Sequence, residues 1–294
     1  MRAGLQVYSI KNRLKENPYK TLEDIANVGY KAIEMANHNA YEDIGTGFGM
    51  PLNEFKSAVN SLGLTVVGAH IMPANGKENI EPFYKDLDHF KKIIDFYAAV
   101  DAKTIGIPID FFPDLDYLKK RCEVYNALGK LCKESGIHLL YHNHWNEFAL
   151  FDGVTIFDHI MNNTDPQYLG IELDAYWQIR GLYDPAKVIR KYGKRIDILH
   201  EKDFPLERID YLNSWKNLDK TVPCNWDSFH ATTCPDDFIE VGEGMIKVQD
   251  VIDAGNEFNI PYILVEQDYT KLDELDSIKL SYNNLKKMRG LEWD

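Results

Sequence analysis

Four residues of this 294-residue chain, Glu147, Asp174, His200 and Glu266, have the chemistry to bind a divalent cation through oxygen and nitrogen. Each stands at, or just beyond, the carboxyl end of a short run rich in apolar and β-branched residues. The first three are 27 and 26 residues apart, one strand–helix unit per step. Other ionisable or polar groups gather at equivalent positions: Gln6, Glu34 and His70 on the first three runs, His142 and His144 on the fifth, Lys202 on the seventh. A buried strand end carries carboxylates and imidazoles only if they are paired or hold a cation, because an unpaired buried charge costs several kcal/mol. Either these groups neutralise one another or they hold a metal. Three carboxylates and one imidazole suit Mn²⁺, Mg²⁺, Co²⁺ or Zn²⁺, with manganese the first expectation, and the absence of cysteine from this set argues against a structural zinc. Glu147 and Glu266 are the ligands best placed to double as acid and base. His142 and His144 share a strand face and are alternative bases, or one of them orients a ligand through a hydrogen bond. Lys202 either holds a substrate oxygen or pairs with Asp203 or Glu201.

The elements that must position these groups recur with a regular beat. Strand-like runs fall at 3–10, 31–37, 64–71, 103–109, 137–144, 169–176, 196–203 and 262–268, and segments with 3.6-residue apolar spacing lie between them. Gly29, Gly63 and Gly136 close three of those helices, and Pro185 opens another. Eight strand–helix units predict an α/β chain folded as one (β/α)8 TIM barrel over residues 1–294, with functional residues at the carboxyl ends of the strands. A doubly wound open sheet is second, since no glycine-rich phosphate loop follows the first strand. The stretch 205–240 is too long for an ordinary loop and is expected as an insertion on the active face, with Trp215, Trp226, Phe229 and His230 either stacking on a ligand or packing locally.

Composition removes several classes. Hydrophobic residues make up 45% and aromatic residues 12%, enough for a large core. With 33 basic and 46 acidic residues the formal charge is −13, which disfavours nucleic acid and anionic membranes as partners. No apolar run approaches the ~20 residues that span a bilayer, and the first residues lack a signal-peptide pattern, so the expected location is cytoplasmic. Four cysteines are too few for a disulfide framework. Self-association into a homo-oligomer is left open.

The segments GLQVYS (4–9), YHNHWNEF (141–148), ELDAYW (172–177), LHEKDF (199–204), VGEGMI (241–246) and VEQD (265–268) resemble the xylose isomerase-like TIM barrel superfamily, which includes the sugar phosphate isomerases and epimerases, tagatose 3-epimerase-like enzymes and inosose dehydratases. The likeness covers essentially the whole chain. It implies that Glu147, Asp174, His200 and Glu266 bind one divalent metal and that Tyr176 and Trp177 line a sugar site; from their strand-end positions Gln6, Glu34, His70 and Lys202 are expected as substrate-binding residues or as plain pocket polars. Glu34 and His70 would hydrogen-bond sugar hydroxyls. The chain departs from the ketose epimerases at the fifth strand, where His142 takes the place of their metal-binding glutamate and Glu147 comes from the loop beyond. The implied activity is a metal-dependent isomerase or epimerase of a keto sugar or related monosaccharide acting through an enediolate. The alternative is a lyase or dehydratase of a keto sugar, inositol derivative or 3-keto (C-)glycoside. An abasic-site endonuclease on the same fold is disfavoured by the charge, and a non-catalytic sugar-binding barrel would not need all four ligands.

Overall fold

A computed structural model describes residues 1–73 and 79–293. Eight parallel strands close on themselves: β1 (Arg2–Gln6), β2 (Ala32–Asn37), β3 (Thr65–Ile71), β4 (Thr104–Ile107), β5 (His138–His142), β6 (Leu169–Asp174), β7 (Ile196–Glu201) and β8 (Tyr262–Val265). Their order around the barrel is the chain order, with β8 pairing back to β1. Helices α1 (Pro18–Val28), α2 (Leu52–Leu62), α3 (Leu87–Ala99), α4 (Leu115–Glu134), α5 (Ile156–Asn163), α6 (Pro185–Tyr192), α7 (Val248–Glu257) and α8 (Glu274–Leu285) follow the eight strands in turn. Gly29 and Gly63 take left-handed φ values of 119° and 65° to end α1 and α2, and Pro185 is the first residue of α6. This is the (β/α)8 barrel that the alternation of runs predicts.

Two cores result. A large one lies between strands and helices and includes Leu22, Phe55, Phe90, Ile93, Leu128, Ile160 and Ile278, all almost fully buried. A small one, Ala32, Val67, Leu140, Ile198 and Leu264, plugs the barrel's interior. Side chains along a strand repeat inward every second residue. The next inward positions after Ala32, Leu140, Ile198 and Leu264 are therefore Glu34, His142, His200 and Glu266, and the apolar floor gives way to an ionisable layer. The sequence runs overshoot the strands at their carboxyl ends. Pairing stops at Gln6, His142, Asp174, Glu201 and Val265, after which the chain turns outward. Beyond those points Asn143, Lys202, Asp203 and Gln267 stay buried in the loops, whereas Tyr8, His144 and Asp268 are half-buried.

The 205–240 stretch folds as a compact cap rather than a free loop. It contains 3₁₀ turns at Leu206–Tyr211 and Pro235–Asp237 and a short helix, Trp226–Thr232, whose Asn225 and Ser228 side chains each accept from the other residue's backbone N–H. Its base is clamped by Asp203, whose carboxylate accepts from the N–H groups of Phe204, Gly242, Gly244 and Ile246 at 2.8–3.0 Å. Arg180, 1% exposed, ties its far side by donating to the carbonyls of Tyr211 and Thr232 and pairing with Asp237 at 3.3 Å.

Candidate metal centre

The strand register places the ionisable layer. His142 lies abreast of Glu172, and Asp174 abreast of His200. Glu266 follows the last residue of β8, its N–H donating to the carbonyl of Glu201 at 3.0 Å and so prolonging the ladder. One donor atom each from His142, Asp174, His200 and Glu266 lies within 4.8 Å of the others, and all four residues are buried. A second grouping of His70, His142, Glu172 and His200 meets the same geometric test one layer deeper.

The hydrogen bonds distinguish the two. His200 Nε2 lies 2.8 Å from both Glu34 Oε2 and Glu172 Oε1, whereas its Nδ1 faces Glu266 Oε2 at 2.9 Å. Glu172 also reaches His70 Nε2 at 2.5 Å and stands 3.7 Å from His142 Nδ1. Glu34 is held in turn by Gln6, whose Nε2 donates to it at 2.9 Å. Gln6, Glu34, Glu172 and His70 thus form a bed beneath the ring of His200 that leaves its Nδ1 facing Glu266, the arrangement by which carboxylates orient metal-ligating histidines. Gly106 on β4 makes room for this bed: a Cβ there would sit 2.7 Å from His70 and 2.8 Å from Glu172.

Protonation follows the same geography. Burial pushes His142 down to about 3, leaving a neutral imidazole with a free lone pair. Burial alone would lower His200, but Glu172 and Glu266 outweigh it and hold it well above the ordinary histidine range. Glu266 and Glu172 are correspondingly low: burial opposes their ionisation, and Lys202 and His200 for the one, His200 and His70 for the other, overcome it. Asp174 is raised to about 6 by burial, despite Lys202. The ammonium of Lys202 lies 2.5 Å from Glu266 Oε2, 3.1 Å from Asp174 Oδ2 and 3.2 Å from Asp268 Oδ1. Asp174 Oδ2 accepts no hydrogen bond. Two carboxylates and a neutral imidazole converging at one point fit a divalent cation, Asp174 Oδ2 having only the Lys202 ammonium at 3.1 Å as a charged partner.

Above this layer opens a cleft of about 810 Å³. His70, His142, His144, Lys202 and Glu266 form its floor, Tyr8, Lys11, His38 and Tyr269 one side, and Met72, Pro108, Ile109, Trp226, Phe229 and His230 the other. The sequence-derived residues divide accordingly. Asp174, His200 and Glu266 come together as expected from their spacing, and His142 joins them. Glu147 does not. It lies on a buried 3₁₀ turn, where its carboxylate accepts from the Tyr141 hydroxyl, the Asn146 amide and the His144 N–H at 2.7–3.0 Å. The loop after β5 curls back on itself, so this glutamate braces the backbone beneath His144 and not the barrel mouth. Gln6 and Glu34 are fully buried beneath the floor. Tyr176 and Trp177 lie behind the cleft wall: the Tyr176 hydroxyl donates to the Asp237 carbonyl, and Trp177 packs against His144 and Phe229. Glu172 is the residue that strand-end reading passes over. Its signal was present in the alternation Gly170, Glu172, Asp174, which points all three inward.

With this geometry in view, the comparisons with known proteins give a family. Residues 22–288 match the model of the xylose isomerase-like TIM barrel family, and the chain belongs to it. Among solved structures, a sugar phosphate isomerase/epimerase from Parabacteroides distasonis superposes with a TM-score of 0.78 at 23% identity over 99% of this chain and 95% of that one. The IOLI protein, solved with a bound zinc atom, gives 0.70 at 14% identity over 98% and 97%. A curated inosose dehydratase from Bacillus anthracis is 27% identical over 167 residues, 49% of this chain and 55% of the relative, so the match spans about half the length of that relative. Among the described residues no helix is long and apolar enough to cross a membrane.

Proposed function

We propose that this protein is a divalent-metal-dependent isomerase or epimerase of a keto sugar. The observation that carries the reading is the convergence of His142, Asp174, His200 and Glu266, from the ends of four successive strands, at the base of the cleft, where His142 and Glu266 line it and Asp174 and His200 lie buried beneath. In this reading those four hold the ion, with His142 in the role first expected of Glu147. A bound divalent ion supplies a Lewis acid that stabilises negative charge developing on a sugar carbonyl oxygen. The protein's own groups do the rest. Glu266 is ionised and faces the cleft, so it is the first base for the proton next to the carbonyl. Lys202, 2.5 Å from Glu266, is a fixed ammonium that donates to a substrate oxygen and keeps Glu266 charged. His144, half-buried at the cleft floor and held neutral, offers a second proton acceptor on the β5 side. Two bases on different faces suit epimerisation, and one base serving two carbons suits isomerisation. The family's zinc-binding IOLI protein makes zinc a candidate ion beside manganese, magnesium and cobalt.

A second reading is elimination of a β-substituent from the same carbanion, favoured by the likeness to inosose dehydratases. Metal analysis and proton exchange test both. His142→Ala is expected to remove most of the bound metal while Glu147→Gln retains it; the opposite pattern overturns the ligand assignment. Incubation with a panel of ketoses and keto glycosides in D₂O is expected to put deuterium on the carbon next to the carbonyl for at least one sugar. No exchange with any of them rejects the enolising reaction, and the product, an epimer, an isomer or a released substituent, separates the two readings.

A further inference from the structure

The cleft is divided by polarity. Its floor and the Tyr8 side carry Lys11, His38, Lys202, Glu266 and Asp268, whereas the opposite end is lined by Met72, Pro108, Ile109, Trp226 and Phe229, with Thr233 and His230 as the polar groups nearby. A cleft of about 810 Å³ lies in the upper part of the range of about 300–1,000 Å³ that encloses drug-sized ligands, more than one sugar ring over the floor would fill. Among the described residues, a second sugar ring at the apolar end would meet only Thr233 and His230 as side-chain partners for its hydroxyls, and burying the rest unpaired is costly. A flat apolar group would not.

The aromatic end is built and fixed. The Trp226 ring stacks on His230 with centroids 5.5 Å apart and 20° between planes, and meets Phe111 edge-on at 5.0 Å. Phe229 reaches from the same helix to His144 at 5.3 Å and Trp177 at 5.5 Å, joining the wall to the site floor. Trp215, by contrast, is buried against Trp145 and serves as the cap's internal packing. The Asp203 clamp and the Arg180 bonds hold the whole piece against the barrel.

We infer that the substrate is a keto glycoside whose sugar ring lies over the floor at His142 and Glu266 and whose flat, apolar aglycone packs against Trp226, whose one face is already backed by His230. This rests on the sugar-binding reading above and names the substrate class for it. The subsite belongs to the 205–240 cap, so it is separable from the floor by mutation.

Matched aryl and methyl pairs of glucosides, galactosides and 3-keto glucosides, titrated calorimetrically against the metal-loaded protein, test it. For at least one sugar the phenyl member is expected to bind more tightly than the methyl member by roughly tenfold, the worth of an aromatic contact of about 1–1.5 kcal/mol. Trp226→Ala is expected to erase that difference while leaving methyl glycoside affinity and metal content unchanged, and Trp226→Phe to keep most of it. Equal affinities within every pair, or no binding by any aryl member, overturn the aglycone subsite. A disaccharide that binds in a Trp226-dependent manner where phenyl glycosides do not also overturns it and assigns the wall to a second sugar. Deuterium exchange into free keto sugars without any aryl preference leaves the enolising reaction standing and removes this inference alone; absence of exchange with every sugar removes the reaction itself.

Discussion

Replacing Glu172 by Gln tests whether the buried bed beneath the floor serves the metal. Glu172 Oε2 lies 2.5 Å from His70 Nε2 and its Oε1 is a charged neighbour 2.8 Å from His200 Nε2, the nitrogen that hydrogen-bonds Glu34, so it supports the ring whose Nδ1 faces Glu266. Glutamine keeps the length but loses the charge and presents an amide N–H₂ to one of two imidazole nitrogens that now face an acceptor. Partners of this kind are worth about 10–100-fold in metal affinity, equivalent to about 1.4–2.7 kcal/mol. Glu172→Gln is therefore expected to weaken Mn²⁺ or Zn²⁺ binding 10–100-fold by equilibrium dialysis with competing chelator, without changing the stoichiometry of one ion. In the metal-free protein the same change removes one member of a buried charged pair, for which losses of about 3–5 kcal/mol are typical, and the urea midpoint is expected to fall. A variant that folds and binds metal with unaltered affinity would refute the role given to the bed. A total loss of the ion would instead make Glu172 a ligand and shift the site to the deeper grouping.

Two further outcomes follow from the geometry. Asp203→Asn turns an amide toward two of the four N–H groups its carboxylate now accepts, leaving them unpaired at about 1–3 kcal/mol each before relaxation; hydrogen exchange is expected to speed up across 204–246 while β1 to β6 stay protected. Burial raises the Asp110 carboxyl from 3.8 to about 6 despite Arg121, 3.3 Å away. Its folded pKa lies above its unfolded one, so its contribution to stability is complete below about pH 4 and is lost as pH rises through 6, by an amount on the order of 2–3 kcal/mol. Asp110→Asn has no such titration, and the difference in urea midpoint between variant and parent is expected to shift in the variant's favour between pH 4.5 and 7.5; a constant difference rejects the shift.

The barrel was legible because each of its signals is local. Alternating runs, helix-closing Gly29 and Gly63, and Pro185 at a helix start can be read within a dozen residues. Asp174, His200 and Glu266 were legible for a related reason, since the fold itself brings successive strand ends together. Glu147 shows where that logic stops: spacing along the chain says that a residue follows a strand, but not whether the loop turns it toward the mouth or back onto Tyr141 and Asn146. Glu172 escaped because a glutamate in mid-strand is expected to be excluded from a core, and only the neighbouring histidines of β3 and β7, distant in sequence, make it tolerable. Tyr176 and Trp177 were placed too far forward because the strand run was read two residues too long; the chain has already entered the Ala175–Arg180 helix there.

That short helix has a mechanical meaning. Asp174 caps its start through the Trp177 N–H, and Arg180 at its end grips the backbone of the cap at Tyr211 and Thr232. Six residues thus form a strut between the floor of the cleft and its aromatic wall. The spacing between the Asp174 end of the barrel and the cap that carries Trp226 and Phe229 is set by this strut, as by the jaw of a caliper. Because Asp174 is both the cap of this helix and a member of the candidate metal cluster, tilting the helix would move the wall and that carboxylate together.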